Sequence, residues 1–253
     1  MKKIKSIVKM IIPQDIRHAI RRTALNFSGF ERKYRGLDNQ EIFDNIYLEG
    51  TWGKDESGNS LSGVGSHNRE ILEPYILATK KVLDDCKCES IADLGCGDFN
   101  IGMNFVDKVD KYYGCDVSEV ILSRNHSKFN FPNVVWQKLD IASDQLPIAD
   151  IGFVRQVLQH LSNDNICSFV SQLNKLKPFQ YLLVTEHLPM AGDFTPNLDK
   201  PSGPDIRHVL GSGVELHHEP FNLMFKSMNV ILEVNAQSEA GGSDIIRSTL
   251  YEL

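Results

Sequence analysis

The sequence lacks any apolar run that approaches the roughly 20 residues of a membrane-spanning helix. The stretch KSIVKMII near the N-terminus is short, and Lys9 interrupts it. We therefore expect neither a spanning helix nor a secretory signal, and we place the chain in the cytoplasm. The five cysteines are odd in number and form no C-x-x-C pair, which favours free thiols in a reducing compartment over disulfides or a zinc site.

Positive charge is scarce over most of the chain and concentrated at its start. The net charge is −6, but residues 1–36 hold ten Lys or Arg against two acidic residues. That segment therefore carries +8, which leaves −14 for residues 37–253. Residues 1–28 form a basic amphipathic pattern that Pro13 interrupts. We expect this extension either to dock on an anionic membrane surface or to pack on its own domain or on a second subunit.

Strand-like and helix-like segments alternate from Ser90 onward, which is typical of an α/β protein with a doubly wound parallel sheet. The pattern predicts strands that end near Leu94, Asp116, Asp140, Gln156 and Glu186, with helices near 101–108, 118–128 and 163–176. The last two strands, NVILEVNA and DIIRSTLYEL, are separated by a GGS turn and predict an antiparallel hairpin. Residues 69–85 have helical spacing, and residues 37–67 predict a short helix followed by a Gly/Ser-rich loop.

The glycine-rich stretch IADLGCGDFNIG follows the first of these strands. Gly95 and Gly97 match the start of a dinucleotide-binding loop, but Asn100 occupies the third glycine position. Asp93 stands at the end of the strand, where a carboxylate repels phosphate and attracts an ammonium group. The pattern therefore favours a ligand with an amino-acid end, and we predict S-adenosylmethionine.

Two further acids stand at the ends of the next strands. Asp116 lies 21 residues after Gly95, a spacing that suits a carboxylate that accepts hydrogen bonds from ribose hydroxyls. Asp140 follows the third strand and can accept from an adenine amino group, with Ile141 against the ring. Ligands of doubly wound sheets bind at the carboxyl ends of strands, so we expect the three acids to share one site.

Four stretches in succession, IADLGCGDFNIG, YYGCDVS, LDIASDQLP and FVRQVLQHLSN, resemble the motifs of class I S-adenosylmethionine-dependent methyltransferases. The resemblance implies a Rossmann-like seven-stranded sheet of order 3-2-1-4-5-7-6 with the last strand antiparallel. It implies a methyltransferase domain over residues 37–253, with a cofactor lid at 50–68 and an acceptor-site insertion at 188–222. In this family a third glycine often stands where this chain has Phe99, and we expect Asp98, Phe99 and Asn100 to shape the wall beside the methionine end.

The resemblance also implies a set of cofactor-binding residues. We expect Arg155 either to pair with Asp140 or to contact a carboxylate of the acceptor or cofactor. The SGVGSH stretch is expected to be a lid that touches the cofactor, although it could be a plain turn. The full set comprises Trp52, Gly65, Asp93, Gly95, Cys96, Gly97, Asn100, Asp116, Val117, Asp140, Ile141, Arg155 and Gln156.

Methylation of a hydroxyl requires that its proton be removed, because a sugar hydroxyl is very weakly acidic. His160, His187 and Glu186 follow the fourth and fifth strands and are our candidate catalytic residues, although a histidine at a strand end can also simply cap a helix. A divalent cation held at these strand ends is an alternative, but no ligand spacing requires a metal. The polar stretch GPDIRHVLGSGVELHHEPF predicts acceptor-binding residues Asp205, Arg207, His217 and His218, with His208 beside them.

The wider pattern, from Trp52 and Gly53 to SGVGSH, TEHLP and GPDIR, is similar to a bacterial branch of these enzymes associated with capsule and other surface polysaccharides. We therefore expect an O-methyltransferase that acts on a sugar nucleotide or a nascent glycan, with the basic extension near the inner membrane. A nucleic-acid methyltransferase is disfavoured because residues 37–253 are acidic and lack an N-P-P-Y-type motif. A non-enzymatic binding protein is the third alternative, against which the three acids argue.

Overall fold

The computed structural model describes residues 33–190, 194–237 and 243–253. The expected membrane contact of residues 1–28 lies outside these ranges. Within them, no helix combines the length and the apolar character needed to cross a membrane. The helices are α1 (Asn39–Glu49), α2 (Arg69–Cys86), α3 (Glu119–Lys128) and α4 (Asn163–Leu176). The strands are β1 (Ser90–Leu94), β2 (Lys111–Asp116), β3 (Val134–Lys138), β4 (Ile151–Arg155), β5 (Tyr181–Pro189), β6 (Ser227–Gln237) and β7 (Ser243–Glu252).

All seven strands form one sheet in the order β3-β2-β1-β4-β5-β7-β6. Strands β1 to β5 pair in parallel, and β7 is antiparallel to both β5 and β6. The predicted fold class is therefore confirmed, including the closing hairpin. The order reverses beside β1, between β2 and β4, which is the switch point where doubly wound sheets open a ligand crevice.

The four helices begin where the sequence supplies a capping side chain. Asp38, Asn68, Ser118 and Ser162 each accept a hydrogen bond from a backbone N–H of the first helical turn. These groups would otherwise have no partner inside the helix. Because Ser118 lies two residues after the end of β2, its cap also fixes how closely α3 follows the edge of the sheet, whereas a 3₁₀ turn separates β4 from α4.

Two hydrophobic clusters cover the sheet. Ala92 and Leu94 of β1 belong to one cluster, and Ile91 belongs to the other, as the alternation of side chains along a strand requires. The helix predicted near 101–108 is wrong. Two short 3₁₀ turns, Gly102–Asn104 and Val106–Lys108, replace it, and Asn104 Nδ2 donates to the backbone oxygens of Asn100 and Ile101. This side chain competes with the backbone bonds that a continuous helix needs.

Candidate functional site

A cavity of about 980 Å³ opens at the carboxyl ends of the parallel strands. Its position is the one expected for ligands of this sheet type. Most of the cofactor-binding residues inferred from sequence line it, namely Trp52, Gly65, Asp93, Gly95, Cys96, Gly97, Asp116, Val117, Asp140, Ile141, Arg155 and Gln156. Asn100 is the exception, since it does not line the cavity.

The loop after β1 needs its two glycines. Gly95 and Gly97 adopt φ values of +85° and +55°, in the left-handed region. A Cβ atom would lie 2.4 Å from Val157 Cγ2 at Gly95 and 2.3 Å from Ser62 Oγ at Gly97. Both positions therefore exclude any side chain, and the backbone of the loop forms part of the cavity wall.

Asp93 lies beneath this loop with 8% of its surface exposed. Its Oδ2 accepts a hydrogen bond of 2.8 Å from the Tyr112 hydroxyl. Burial raises the pKa of Asp93 to about 7, although the Tyr112 hydrogen bond opposes the shift. A cation in the cavity would favour the ionised carboxylate, so the side chain is poised for an ammonium group.

The other two acids occupy the neighbouring strand ends as expected. Asp116 accepts hydrogen bonds of 3.0 Å from the backbone N–H groups of Gly97 and Ser118, and burial raises its pKa to about 6. Asp140 accepts from Asn39 Nδ2 at 2.8 Å and from Ala142 N at 2.9 Å. Asn39 opens α1, so this helix helps to fix the adenine end predicted from sequence.

Phe99 points away from the cavity, which corrects the expectation that it shapes the methionine wall. Its side chain is fully buried and packs edge-on against Trp136, with ring centroids 4.6 Å apart. Its φ is +62°, a left-handed conformation that is uncommon for a residue other than glycine. Asn100 instead holds the lid, because its Nδ2 donates to Ser66 O at 2.7 Å.

The segment 50–68, which is predicted to be a cofactor lid, is joined to the β1 loop through Asp98. Asp98 Oδ2 lies 2.8 Å from His67 Nε2 and accepts from Ser62 N at 3.0 Å. In return, the Asp98 backbone donates to Ser62 Oγ at 2.6 Å. Trp52 extends over the other end of the cavity, where its ring lies 4.8 Å from that of His160. The lid thus connects both ends of the site.

Arg155 does not pair with Asp140. Its guanidinium donates to Gly65 O at 2.9 Å and to Gln156 Oε1 at 2.9 Å, and it stacks on Tyr75 at 5.0 Å. Among the described residues its Nε has no hydrogen-bond partner although it is buried. A buried donor without a partner is costly, and this one belongs to a residue of the cavity wall. The hydrogen bond to Gly65 ties the segment 50–68 to the end of β4.

His160 lies in a half-buried position beside Trp52. Burial lowers the pKa of its ring to about 3, and Lys200 adds to the shift. Its Nδ1 has no partner within the described part of the chain. A ring with so low a pKa is neutral at physiological pH, but it is a weak acceptor of protons.

A second histidine cluster lines the cavity and includes Asp244, which sequence reasoning did not select. Asp244, which is 2% exposed, contacts both His187 and His208. His208 Nε2 lies 2.5 Å from Asp244 Oδ1, and His187 Nε2 lies 3.3 Å from Oδ2. The rings stack 5.4 Å apart. Burial lowers the pKa of His187, and the charge of Asp244 opposes that shift. The ring is therefore neutral before it accepts a proton, and Asp244 stabilises the positive charge once it has done so.

Asp244 lies within reach of His187 because of strand register. In the antiparallel pair β5–β7, His187 is opposite Ile246 and Pro189 is opposite Asp244. His187 and Asp244 are therefore diagonal neighbours on one face of the sheet. The sequence signal was the acid directly after the GGS turn, at the start of a strand predicted to pair with β5.

The predicted placement of Glu186 at the main cavity requires correction. Glu186 faces the opposite side of β5 from His187, because successive strand residues alternate. It lines a smaller cavity and accepts a hydrogen bond from Leu158 N at 3.2 Å. Burial raises the pKa of Glu186 to about 8. It therefore supports the turn that carries His160 and does not line the main cavity.

The acceptor residues predicted in the insertion divide among three environments. Asp205 lines the main cavity. Arg207 is 1% exposed and donates to the backbone oxygens of Leu158 and Leu198, so it anchors the insertion. His217 lines the smaller cavity on the other side of β5, and His218 lies next to it. A helical or turn segment gives no sequence signal for which side of the sheet it covers.

No protein-family model matches the chain, and no curated protein matches it. Among solved structures, the N-methyltransferase NodS from Bradyrhizobium japonicum WM9, in complex with S-adenosyl-L-homocysteine, has a TM-score of 0.56 at 13% identity, over 83% of this chain and 99% of that one. The methyltransferase domain of bacterial CtHen1-CN has a TM-score of 0.52 at 16% identity, over 72% of this chain and 98% of that one. The chain has the Rossmann-like fold of S-adenosylmethionine-dependent methyltransferases.

Proposed function

We propose that this chain is an S-adenosylmethionine-dependent O-methyltransferase that acts on a sugar hydroxyl in the biosynthesis of bacterial surface polysaccharide. The observation that carries the proposal is the presence, in one cavity, of acidic strand ends and of a His187–Asp244–His208 cluster. The first group suits the cofactor, and the second suits an acceptor that must lose a proton.

The cofactor end fits S-adenosylmethionine in its donor set. Asp116 would hold the ribose, Asp140 and Ile141 the adenine, and Asp93 the ammonium group. Arg155, a cationic residue of the cavity wall, would hold the carboxylate. Gly95 and Gly97 let the backbone of the loop line the cavity without a side chain. In NodS, a structure of the same fold, the related S-adenosyl-L-homocysteine is bound.

S-adenosylmethionine, when bound, supplies a methyl carbon whose bond to sulfur breaks as its bond to the acceptor oxygen forms, which leaves S-adenosylhomocysteine. The residues of this chain orient the acceptor and take its proton. His187 accepts the hydroxyl proton, and Asp244 stabilises the imidazolium that results. The proton then passes to solvent. His160 is a weaker candidate base because its pKa is about 3.

The acceptor assignment rests on the polar insertion and on the resemblance to the polysaccharide-associated branch. Asp205 and His208 come from that insertion and line the cavity. Carboxylate and imidazole groups are suitable partners for the several hydroxyls of a sugar. Trp52 adds an aromatic face at the same end, next to His160.

The test is methyl transfer by the purified chain to a panel of nucleotide sugars and glycan fragments, with S-adenosylhomocysteine release and product mass as readouts. We expect His187→Gln to lower kcat by about 10²- to 10⁴-fold, the range of a general base, with cofactor affinity retained. His126→Gln, on the exposed surface of α3, is the matched control and should behave as the parent chain.

Two failures of this experiment are distinguishable. If calorimetry detects no binding of S-adenosylmethionine, the cofactor assignment fails together with the whole proposal. If the cofactor binds but no sugar or glycan is methylated, the acceptor assignment alone is refuted.

A further inference from the structure

A second cluster of metal-binding side chains lies outside the main cavity, on a turn within the insertion. Glu215, His217 and His218 each offer one ligand atom, and these atoms lie within 4.8 Å of one another. Glu215 and His217 line a small cavity of about 100 Å³ on the side of β5 opposite to His187. The reaction proposed for the main cavity uses none of these residues.

The spacing within the cluster already resembles that of a metal site. His218 Nε2 lies 3.4 Å from Glu215 Oε2. Two ligand atoms that each lie about 2.0–2.1 Å from a tetrahedral Zn²⁺ are roughly 3.3 Å apart. An ion could therefore bridge these two side chains with little movement, and the same distance is long for a direct hydrogen bond.

The backbone that carries the three side chains is held in place by one buried residue. Asn197 is 5% exposed, and its Oδ1 accepts from Glu215 N at 2.9 Å. Its Nδ2 donates to the backbone oxygens of Glu215 and Glu219, each at 2.9 Å. Because the turn is fixed from within, little conformational entropy remains to be lost when a ligand binds.

Outer partners orient two of the three ligands. Tyr251 Oη lies 3.2 Å from His217 Nδ1 and can accept its proton, which leaves the Nε2 lone pair for a metal. Arg247 Nη1 donates to Glu215 Oε1 at 2.9 Å, which leaves Glu215 Oε2 for the ion. The charge of Arg247 is also matched by Glu233, at 2.7 Å. Such outer-shell contacts are typical of metal-binding histidines and carboxylates.

We propose that Glu215, His217 and His218 bind a Zn²⁺ ion, with water in the fourth position. Two imidazoles and one carboxylate form a donor set that Zn²⁺ accepts. His218 is half-exposed, so the ion can enter from solvent and keep an open coordination site. The ion would connect the insertion to β7, where Tyr251 and Arg247 reside, and binding would raise the unfolding temperature.

The test uses chelator-treated full-length protein in a buffer that does not bind metals. Zn²⁺ binding is measured by calorimetry, and Co²⁺ serves as a spectroscopic probe whose visible bands report tetrahedral coordination. We expect one equivalent to bind, with an increase in the unfolding temperature. His217→Gln and His218→Gln should each weaken binding by more than about 100-fold, and Tyr251→Phe by about 10- to 100-fold, as for an outer-shell partner.

Two variants control for other histidines. His126→Gln should leave Zn²⁺ affinity unchanged, and so should His208→Gln, which alters only the cluster in the main cavity. Circular dichroism of each metal-free variant checks that the fold is retained, and His218, being half-exposed, is the substitution least expected to disturb it. The proposal is overturned if no Zn²⁺ binds, if His217→Gln and His218→Gln both bind as the parent does, or if His208→Gln abolishes binding.

Discussion

Phe99 offers a direct test of how this chain closes its cofactor loop without a third glycine. The ring is fully buried among Trp136, Phe129 and Tyr112, at centroid distances of 4.6, 5.3 and 5.5 Å. Removing a buried phenylalanine ring costs about 3–5 kcal/mol. The left-handed backbone at φ +62° costs a non-glycine residue about 1–2 kcal/mol. The stabilisation that the packed ring provides is therefore larger than the energetic cost of the strained backbone.

Two substitutions at Phe99 separate the contribution of ring packing from the cost of backbone strain. Phe99→Ala should lower the free energy of unfolding by about 3–5 kcal/mol, because it loses the ring and keeps the strain. Phe99→Gly loses the same ring and relieves the strain, although glycine costs about 0.5–1 kcal/mol in chain entropy. We expect the glycine variant to be about 1 kcal/mol more stable than the alanine variant. At ordinary backbone positions the alanine variant is the more stable of the two.

The assay is urea unfolding of the three proteins, followed by two spectroscopic probes to check for a two-state transition. Leu77→Ala, at a helix position where the side chain is 71% exposed, is the control and should change stability by less than about 0.5 kcal/mol. A glycine variant that is less stable than the alanine variant would refute the account of strain at this position. A loss below about 1 kcal/mol for Phe99→Ala would refute the account of packing.

Three further predictions follow from the site. S-adenosylmethionine affinity, measured by calorimetry, should rise as pH increases through about 7, because Asp93 must lose its proton to hold an ammonium group, and Asp93→Asn should remove this dependence. Asp244→Asn should shift the acid limb of the pH profile of kcat to lower pH, because Asp244 raises the pKa of His187. The substitution should also lower the kcat plateau. An acid limb that does not move would exclude His187 as the base. Asn197→Ala should cost about 3 kcal/mol in urea unfolding, because buried backbone groups of the turn lose their partner, and an unchanged midpoint would contradict this role.

The sheet and its cofactor edge were predictable because their patterns are local. The order of strands and helices predicts a parallel sheet, and Asp93, Asp116 and Asp140 each end or follow a strand. Parallel strands bring their carboxyl ends to one edge, so proximity of these residues follows from topology. The break near Asn104 was not predictable in the same way, because side-chain bonds to the backbone there disrupt a helix whose sequence spacing is otherwise adequate.

The acceptor end was harder to predict because its residues come from segments that lie far apart in the sequence. Glu186 and His187 were grouped as neighbours, yet strand alternation places them on opposite faces of β5. The insertion then wraps around the end of this strand, with His208 on the cavity side and His217 on the other. Which face each residue reaches depends on anchors such as Arg207, whose buried guanidinium binds backbone oxygens at Leu158 and Leu198.

The two faces of β5 therefore have separate chemistry within one insertion. On the cavity face, Asp244 provides a buried charge next to His187 and His208, an arrangement that favours proton transfer over tight metal binding because its two oxygens contact different rings. On the other face, the three potential ligands come from a single turn that Asn197 holds rigid. A short, preorganised turn favours ion binding, since all ligands are brought together by local structure. Substitutions at His208 and at His218 should accordingly alter different properties of the protein, although the two residues are only ten positions apart in the sequence.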